Sequence, residues 1–311
     1  MELSYNGLHD RGAWEAAGVR LPAYNVEKTA QATRQAPIWV HFGSGNIFRG
    51  FIAQLQQRLL NMGAADKGII AVDTFDYDII DKIYTAFDNL TLNVTLNADA
   101  TVGCEVMAAV AEALKADARQ PEQMARLKAI FADPGLQMIS FTITEKGYAL
   151  HRPDGSLIPA AASDMEKGPD GCVHAMGIVA ALLYHRYKTC GAPLAVVSMD
   201  NCSHNGEKLF GSIQEIVHAW LEKGMVEGAF VSYLTESGKV SFPWSMIDKI
   251  TPRPSETVRR RLEEMGITGT DPIVTSKHTY IAPFVNAEKP QYLVIEDNFP
   301  NGRPPLEKAG V

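Results

Sequence analysis

The chain has 311 residues, 46% hydrophobic and 21% charged, with a net charge of −7; that length can bury a large core, and no basic cluster interleaved with aromatics marks a nucleic-acid surface. The longest apolar run, residues 177–184, is far below the ~20 residues needed to span a bilayer, so no membrane partner is expected. The N-terminus has no basic n-region or signal-peptide core, and Cys104, Cys172, Cys190 and Cys202 show neither CxxC spacing nor a dense framework, so reduced cysteines in a cytoplasmic protein are expected.

Residues 1–36 lack sustained periodicity and read as an irregular N-terminal extension packed on a domain formed by 37–311. Ile38–Phe42 is a short apolar run, a buried strand. The helix after it places Phe48, Phe51, Ile52, Leu55 and Leu59 on one core-facing stripe. Gly68–Asp73 is a second buried strand, and a helix starts near Tyr77-Asp78. Leu90–Leu96 reads as a strand and Glu105–Lys115 as a helix. Glu122–Phe131 is helical, opening after Pro121 as a first-turn proline allows. Leu136–Ile143 returns as a strand, Val173–Lys188 as a helix, Pro193–Met199 as a strand and Gly206–Lys223 as a helix. Glu256–Met265 follows as a helix with Ser255 as candidate cap, then Gln291–Glu296 as a strand. The turn-rich stretch from His151 to Gly171 is an excursion between core elements. The alternation predicts an α/β fold: a doubly wound, mostly parallel sheet of Rossmann type with extra strands and helices. Ligands of such a sheet bind at the carboxyl ends of its strands.

The most informative segment is Gly43-Ser44-Gly45-Asn46-Ile47-Phe48-Arg49-Gly50 between the first strand and its helix. Glycines there let backbone approach a pyrophosphate, and the free N–H groups and dipole of the helix favour its charge. The spacing is Gly-x-Gly-x-x-x-x-Gly, not Gly-x-Gly-x-x-Gly, so a turn with no ligand is the alternative. Asp73 ends the next strand, 23 residues after Gly50, close to the ~20 expected of a carboxylate that holds a ribose diol. A 2′-phosphate is repelled there, which favours NAD over NADP. The competing role for Asp73 is to cap the following helix, with Asp76 as the other candidate cap.

Other polar groups gather at strand ends. Glu145 follows the Leu136–Ile143 strand, Asp200 and Asn201 follow Pro193–Met199, and Asp248 stands among apolar residues. Each has a plain reading as a turn, cap or ion-pair residue, with Lys146 or another surface base for Glu145 and Lys249 for Asp248.

In this order the segments His41–Gly50, Thr142–Tyr148, Asp200–Gly206, Ser245–Pro252 and Val294–Pro304 closely resemble the polyol-specific long-chain dehydrogenases, which include mannitol 2-dehydrogenase and the hexuronate reductases. The resemblance implies metal-free hydride transfer between a nicotinamide and a C2 alcohol or ketone of a sugar acid or polyol. It maps an oxyanion-hole asparagine onto Asn201, a glutamate tied to proton movement onto Glu145, and an aspartate near the active centre onto Asp248. His204 maps to no catalytic role; a turn or cap is expected of it.

The family's catalytic lysine sits in a Lys-x-x-x-x-Asn-x-x-His arrangement on a helical C-terminal domain beyond the Gly-Arg-Pro segment. No such arrangement occurs in these 311 residues, so the helical domain and its base are expected to lie outside them. That keeps a nucleotide-binding module without turnover as the rival class. Two other dehydrogenase types fit worse. Tyr184 and Lys188 match Tyr-x-x-x-Lys, but without the first-turn pattern of short-chain enzymes, and the cysteines and histidines form no zinc-type cluster. The turn resembles hexuronate reductases more than polyol dehydrogenases, so fructuronate and mannonate are the expected substrate pair, with mannitol next. Nothing in the sequence sets an oligomeric state.

Overall fold

Six short apolar runs form one parallel sheet, numbered here in chain order: β1 (Trp39–Phe42), β2 (Ile69–Asp73), β3 (Val110–Lys115), β4 (Met138–Phe141), β5 (Leu194–Ser198) and β6 (Val240–Ser241). Their spatial order is β3-β2-β1-β4-β5-β6, and every neighbouring pair is parallel. The computed structural model describes residues 1–96, 102–236, 238–289 and 291–310. Strands buried on both faces carry no polar alternation, which explains the continuous apolar runs. Phe42, Val72, Phe141 and Val196 face a cluster built with the helices Pro121–Ala132, Ala175–Thr189 and Asn205–Glu222. Trp39, Ala71, Met138 and Val197 face the other side, against Phe48, Phe51, Ile52, Leu55 and Leu59. The strand order reverses between β1 and β4, so the loops leaving those strands diverge and open a crevice at their carboxyl ends.

A second sheet pairs Val19–Arg20, Val102–Met107, Thr91–Leu96 and Phe284–Glu288 in that order. It packs on the helix of the first crossover: Cβ on Gly50 would stand 2.7 Å from Val285 Cγ1. Three expectations are corrected. Residues 105–115, predicted as one helix, belong to two strands, Val102–Met107 and β3. The Ala-rich run has helical propensity, but Val106 to Ala111 are all buried, and pairing with β2 on one side and Thr91–Leu96 on the other prevails. Residues 1–36 are not irregular: Arg11–Ala16 and Val26–Gln35 are helices capped by Asp10 and Asn25. The 151–171 excursion contains the helix Pro159–Lys167. The expected Ser255 cap is present, its hydroxyl accepting from Val258 N at 3.3 Å.

A buried polar chain crosses the sheet at β1. Trp39 Nε1 donates to Ser140 Oγ (2.7 Å), which lies 2.7 Å from His41 Nδ1, and His41 Nε2 lies 2.8 Å from Thr142 Oγ1. The bonding that uses every donor has Ser140 donating to Nδ1 and Nε2–H donating to Thr142, whose hydroxyl then reaches the Gly43 carbonyl at 3.4 Å. His41 stacks on Phe48 with centroids 4.1 Å apart, and burial pushes its pKa down to about 3. The folded state refuses a proton that the unfolded chain accepts below about pH 6.5, so this site contributes stability that is lost as pH falls from about 6.5 toward 3, at up to about 1.4 kcal/mol per pH unit. In urea unfolding, the stability gap between the wild type and His41→Gln is expected to narrow from pH 7 to pH 4. A constant gap would remove His41 from the acid dependence.

Candidate functional site

The first turn divides the roles of its glycines by geometry. Gly43 has φ +102°, and Cβ there would stand 2.2 Å from the Thr142 carbonyl oxygen, so β1 and β4 approach too closely for any side chain. A Cβ on Gly45 would meet no atom within 4 Å: it would project into the crevice, where backbone is open to a ligand. Gly50 serves helix-to-sheet packing. The helix runs over residues 46–61 with a wide turn at Phe48–Ile52, and its opening N–H groups have no intrahelical acceptors.

Within this turn Gly45, Asn46 and Ile47 are partly exposed, whereas Ser44, Phe48 and Arg49 are buried. The Arg49 guanidinium donates to the Ala282 carbonyl (2.8 Å) and to Asn46 Oδ1 (2.7 Å). Burial lowers its pKa to about 10, so it remains charged at neutral pH. Its side chain pins the helix to the segment before Phe284 and does not face the crevice.

Asp73 closes the turn from the β2 side. Ser44 Oγ donates to Oδ2 at 2.5 Å, and the amides of Phe75 and Asp76 donate to Oδ1 at 2.8 and 2.7 Å. The carboxylate thus orders the loop that leads into the helix opening at Tyr77 without capping that helix, since its donors precede it; Asp76, at the cap position, makes no side-chain cap bond either. Burial raises the Asp73 pKa, and the Ser44 and amide donors oppose that rise. Ser44 N, 3.4 Å from Oδ2, is a fourth donor, so all of the carboxylate's about four lone-pair sites face protein donors, and a ribose diol would have to share or displace them.

On the β4–β5 side Asp200 plays a matching part. It accepts from Ile143 N, Thr144 N (both 2.9 Å) and Tyr148 Oη (2.5 Å). Thr144 sits at φ +65°, held by that bond. Asn205 Nδ2 donates to the carbonyls of Asp200 (3.1 Å) and Ser245 (3.0 Å), stitching the loop to the strand Ser245–Asp248. These bonds present Glu145 and Asn201 on a cleft of about 290 Å³, which Ile47 and Lys249 also line. Glu145 is exposed and pairs with Lys208, not Lys146. Asn201 is exposed at the rim.

Asp248 lies elsewhere. The strand Ser245–Asp248 pairs with Tyr292–Ile295; Ile247 is buried beneath, and Asp248 is exposed on the alternate face. Its neighbour Lys249 reaches the cleft with its stem and donates its ammonium to the Glu288 carbonyl; burial lowers its pKa to about 8. Sequence reasoning gave Tyr148 no role and Lys249 only an ion pair with Asp248, in place of which its ammonium meets the Glu288 carbonyl; only position within the matching segments could have found them. His204, at φ +55°, precedes the helix Asn205–Glu222 and bonds Glu207 at 3.0 Å, a turn role. Tyr184 and Lys188 both bond Glu227 (2.8 Å each) on a helix flanking the sheet, and neither lines the cleft. Among the described residues no cluster of metal-ligating side chains occurs.

The profile of the mannitol dehydrogenase Rossmann domain family matches residues 37–308. The chain belongs to this family. It is 50% identical over 309 residues to a D-mannonate oxidoreductase of Thermotoga maritima, covering 99% of this chain and 57% of that protein. A polyol:NADP oxidoreductase of Gluconobacter oxydans is 32% identical, covering 95% and 56%. Mannitol 2-dehydrogenase of Pseudomonas fluorescens, solved as a ternary complex with NAD and D-mannitol, superposes with a TM-score of 0.78 at 25% identity, covering 99% of this chain and 57% of that one. The chain spans just over half the length of these relatives. Gly43→Ala is expected to cost about 2–4 kcal/mol, from a strained φ and a backbone clash, while Gly45→Ala stays within about 0.5 kcal/mol. Equal melting temperatures for the two variants would contradict this division.

Proposed function

We propose that this chain binds NAD(H) across the Gly43–Gly50 turn and Asp73, as the cofactor-binding part of an oxidoreductase that moves hydride between nicotinamide and the C2 alcohol or ketone of a sugar acid. Fructuronate and mannonate are the proposed pair. The observation that carries the cofactor reading is the open space over Gly45, at a helix N-terminus on the crevice between β1 and β4. Support for the acid over mannitol is the 50% identity to the mannonate enzyme, against 28% to a Phaeosphaeria nodorum mannitol 2-dehydrogenase. The carboxyl of Asp73 at the end of β2 supports NAD over NADP, because an acid there disfavours a 2′-phosphate. Unpaired cysteines and the absence, among the described residues, of a helix long and apolar enough to cross a membrane agree with work in the cytoplasm. Residues 37–311 are proposed as the cofactor-binding unit, with 1–36 packed on it.

Nicotinamide, when bound, supplies or accepts the hydride. The remaining chemistry asks for a donor to the substrate oxygen and a base for its proton. Asn201, on the cleft rim, is the proposed donor: its amide meets charge as it develops on oxygen, the kind of preset dipole that lowers a barrier most in a water-poor site. Asp200 is its positioning neighbour, anchoring the loop through three donors. Glu145, paired with Lys208 and open to solvent, is the proposed exit for the proton. The base itself is proposed to come from the lysine segment outside these 311 residues.

Gly45→Val is expected to abolish NADH binding in calorimetry while the melting temperature stays near that of the wild type. Unchanged affinity would sink the turn as the cofactor site. For the reaction, Asn201→Ala in protein extended to the relatives' full length is expected to lower kcat by roughly 10²–10³ with fructuronate, at unchanged NADH affinity. Wild-type turnover by these 311 residues alone would show that the base lies within them and overturn the division of labour.

A further inference from the structure

On the β4–β5 side of the crevice one residue is held in a conformation that its side chain disfavours. Thr144 opens the short helix Thr144–Tyr148 at φ +65°, in the left-handed region that a β-branched residue rarely enters. It lines the cleft together with Glu145, Asp200 and Asn201. What holds it is Asp200, whose Oδ1 accepts from Thr144 N and whose Oδ2 accepts from Ile143 N, both at 2.9 Å. Asp200 is held in turn from the far end of the same helix, by Tyr148 Oη at 2.5 Å. Ser198 sets the direction of that bond. Its Oγ lies 2.9 Å from Tyr148 Oη and 3.4 Å from Asp200 N, so it accepts from the amide and donates to the phenol, leaving the phenol proton for Asp200. The Tyr148 ring is buried, edge-on to Phe141 with centroids 6.5 Å apart, and core packing thus aims the hydroxyl.

We propose that Tyr148 is a positioning residue for the hydride transfer: through Asp200 its hydroxyl keeps Thr144 left-handed and so places Glu145 and Asn201 on one cleft. The inference rests on the reading of Asn201 and Glu145 above. Tyr148 does not itself line the cleft; it acts through the charge of Asp200. Burial pushes the Asp200 pKa up, and the tyrosine hydroxyl and the two amides pull it back. An ionised carboxylate accepts all three bonds, whereas protonation turns one oxygen into a donor aimed at other donors. The remaining groups nearby do not replace the hydroxyl. Glu145 and Lys208 pair with each other at the surface, and burial raises the pKa of the Cys202 thiol on the same loop. Asn205 Nδ2 bonds the Asp200 carbonyl, not its carboxylate, and Lys249 on the cleft wall gives its ammonium to the Glu288 carbonyl.

The test uses protein extended to the relatives' full length and follows fructuronate reduction by NADH across a pH series. Tyr148→Phe keeps the packed ring and removes only the hydroxyl. It is expected to lower kcat by roughly 10- to 100-fold, as for a misplacement of about 1 Å, at unchanged NADH affinity. Asp200 without that donor protonates at higher pH, so the acid limb of kcat is expected to move up by roughly one to two pH units, the equivalent of one hydrogen bond to a charged group. In a Thr144→Gly background, where a left-handed φ is unstrained, the same Tyr148→Phe change is expected to cost about 3-fold or less. An unchanged kcat, an unmoved acid limb, a matching loss of NADH affinity or an equal loss of kcat in both backgrounds overturns the inference while the reading of Asn201 and Glu145 stands. Absence of wild-type turnover with fructuronate overturns that reading, and this inference with it.

Discussion

The structure depends on a carboxylate buried at the end of β2. Asp73 is 7% exposed and accepts hydrogen bonds from the hydroxyl and amide of Ser44 in one crossover and from two amides of the next. A buried carboxylate without such donors is costly, and hydrogen bonds to a charged group contribute about 1.5–3 kcal/mol each. The bonds therefore do two things together. They oppose the burial that raises the Asp73 pKa, and they fix the glycine turn relative to the loop that follows β2. Shape and charge at the crevice come from the same contacts.

Asp200 repeats the arrangement on the other side of the switch point. It accepts two backbone amides and one hydroxyl, from Ile143, Thr144 and Tyr148, and burial raises its pKa while those donors oppose it. The two aspartates lie at the carboxyl ends of β2 and β5, flanking β1 and β4, where strand order reverses. Loops there cannot pair with each other, so their amides need acceptors that are not backbone carbonyls. A short acidic side chain supplies two oxygens in a small volume. What looks like catalytic acidity in the sequence is in good part loop architecture.

Legibility followed burial. The strands β1, β2, β4 and β5 stood out because both their faces are covered, leaving mainly apolar runs that only the buried His41 and Ser140 interrupt. The β3 run was misread because Ala-rich segments favour a helix locally, and only its partner strand, remote in sequence, decides otherwise. The N-terminal helix Val26–Gln35 buries just Ala30 and Thr33, too little to make a stripe. Asp248 shows a different limit. Alternate residues of a strand face opposite ways, so a one-residue difference in register decides whether Asp248 or Lys249 meets the cleft, and local pattern does not set that register.

The quoted turn mixes two kinds of residue that the sequence could not separate. Gly45, Asn46 and Ile47 lie at the crevice, whereas Ser44, Phe48 and Arg49 are turned inward by the wide helical turn that begins at Phe48. The inward set still shapes the turn. Ser44 holds Asp73, Phe48 stacks on His41 beneath the turn, and Arg49 keeps a full positive charge one turn into the helix with no carboxylate to neutralise it among the described residues. Its acceptors are a backbone carbonyl and an amide oxygen, which satisfy hydrogen bonds without cancelling charge. In a medium of low dielectric that charge adds to the helix dipole at the turn. The positive field over Gly45 is thus built partly from side chains buried beneath the turn.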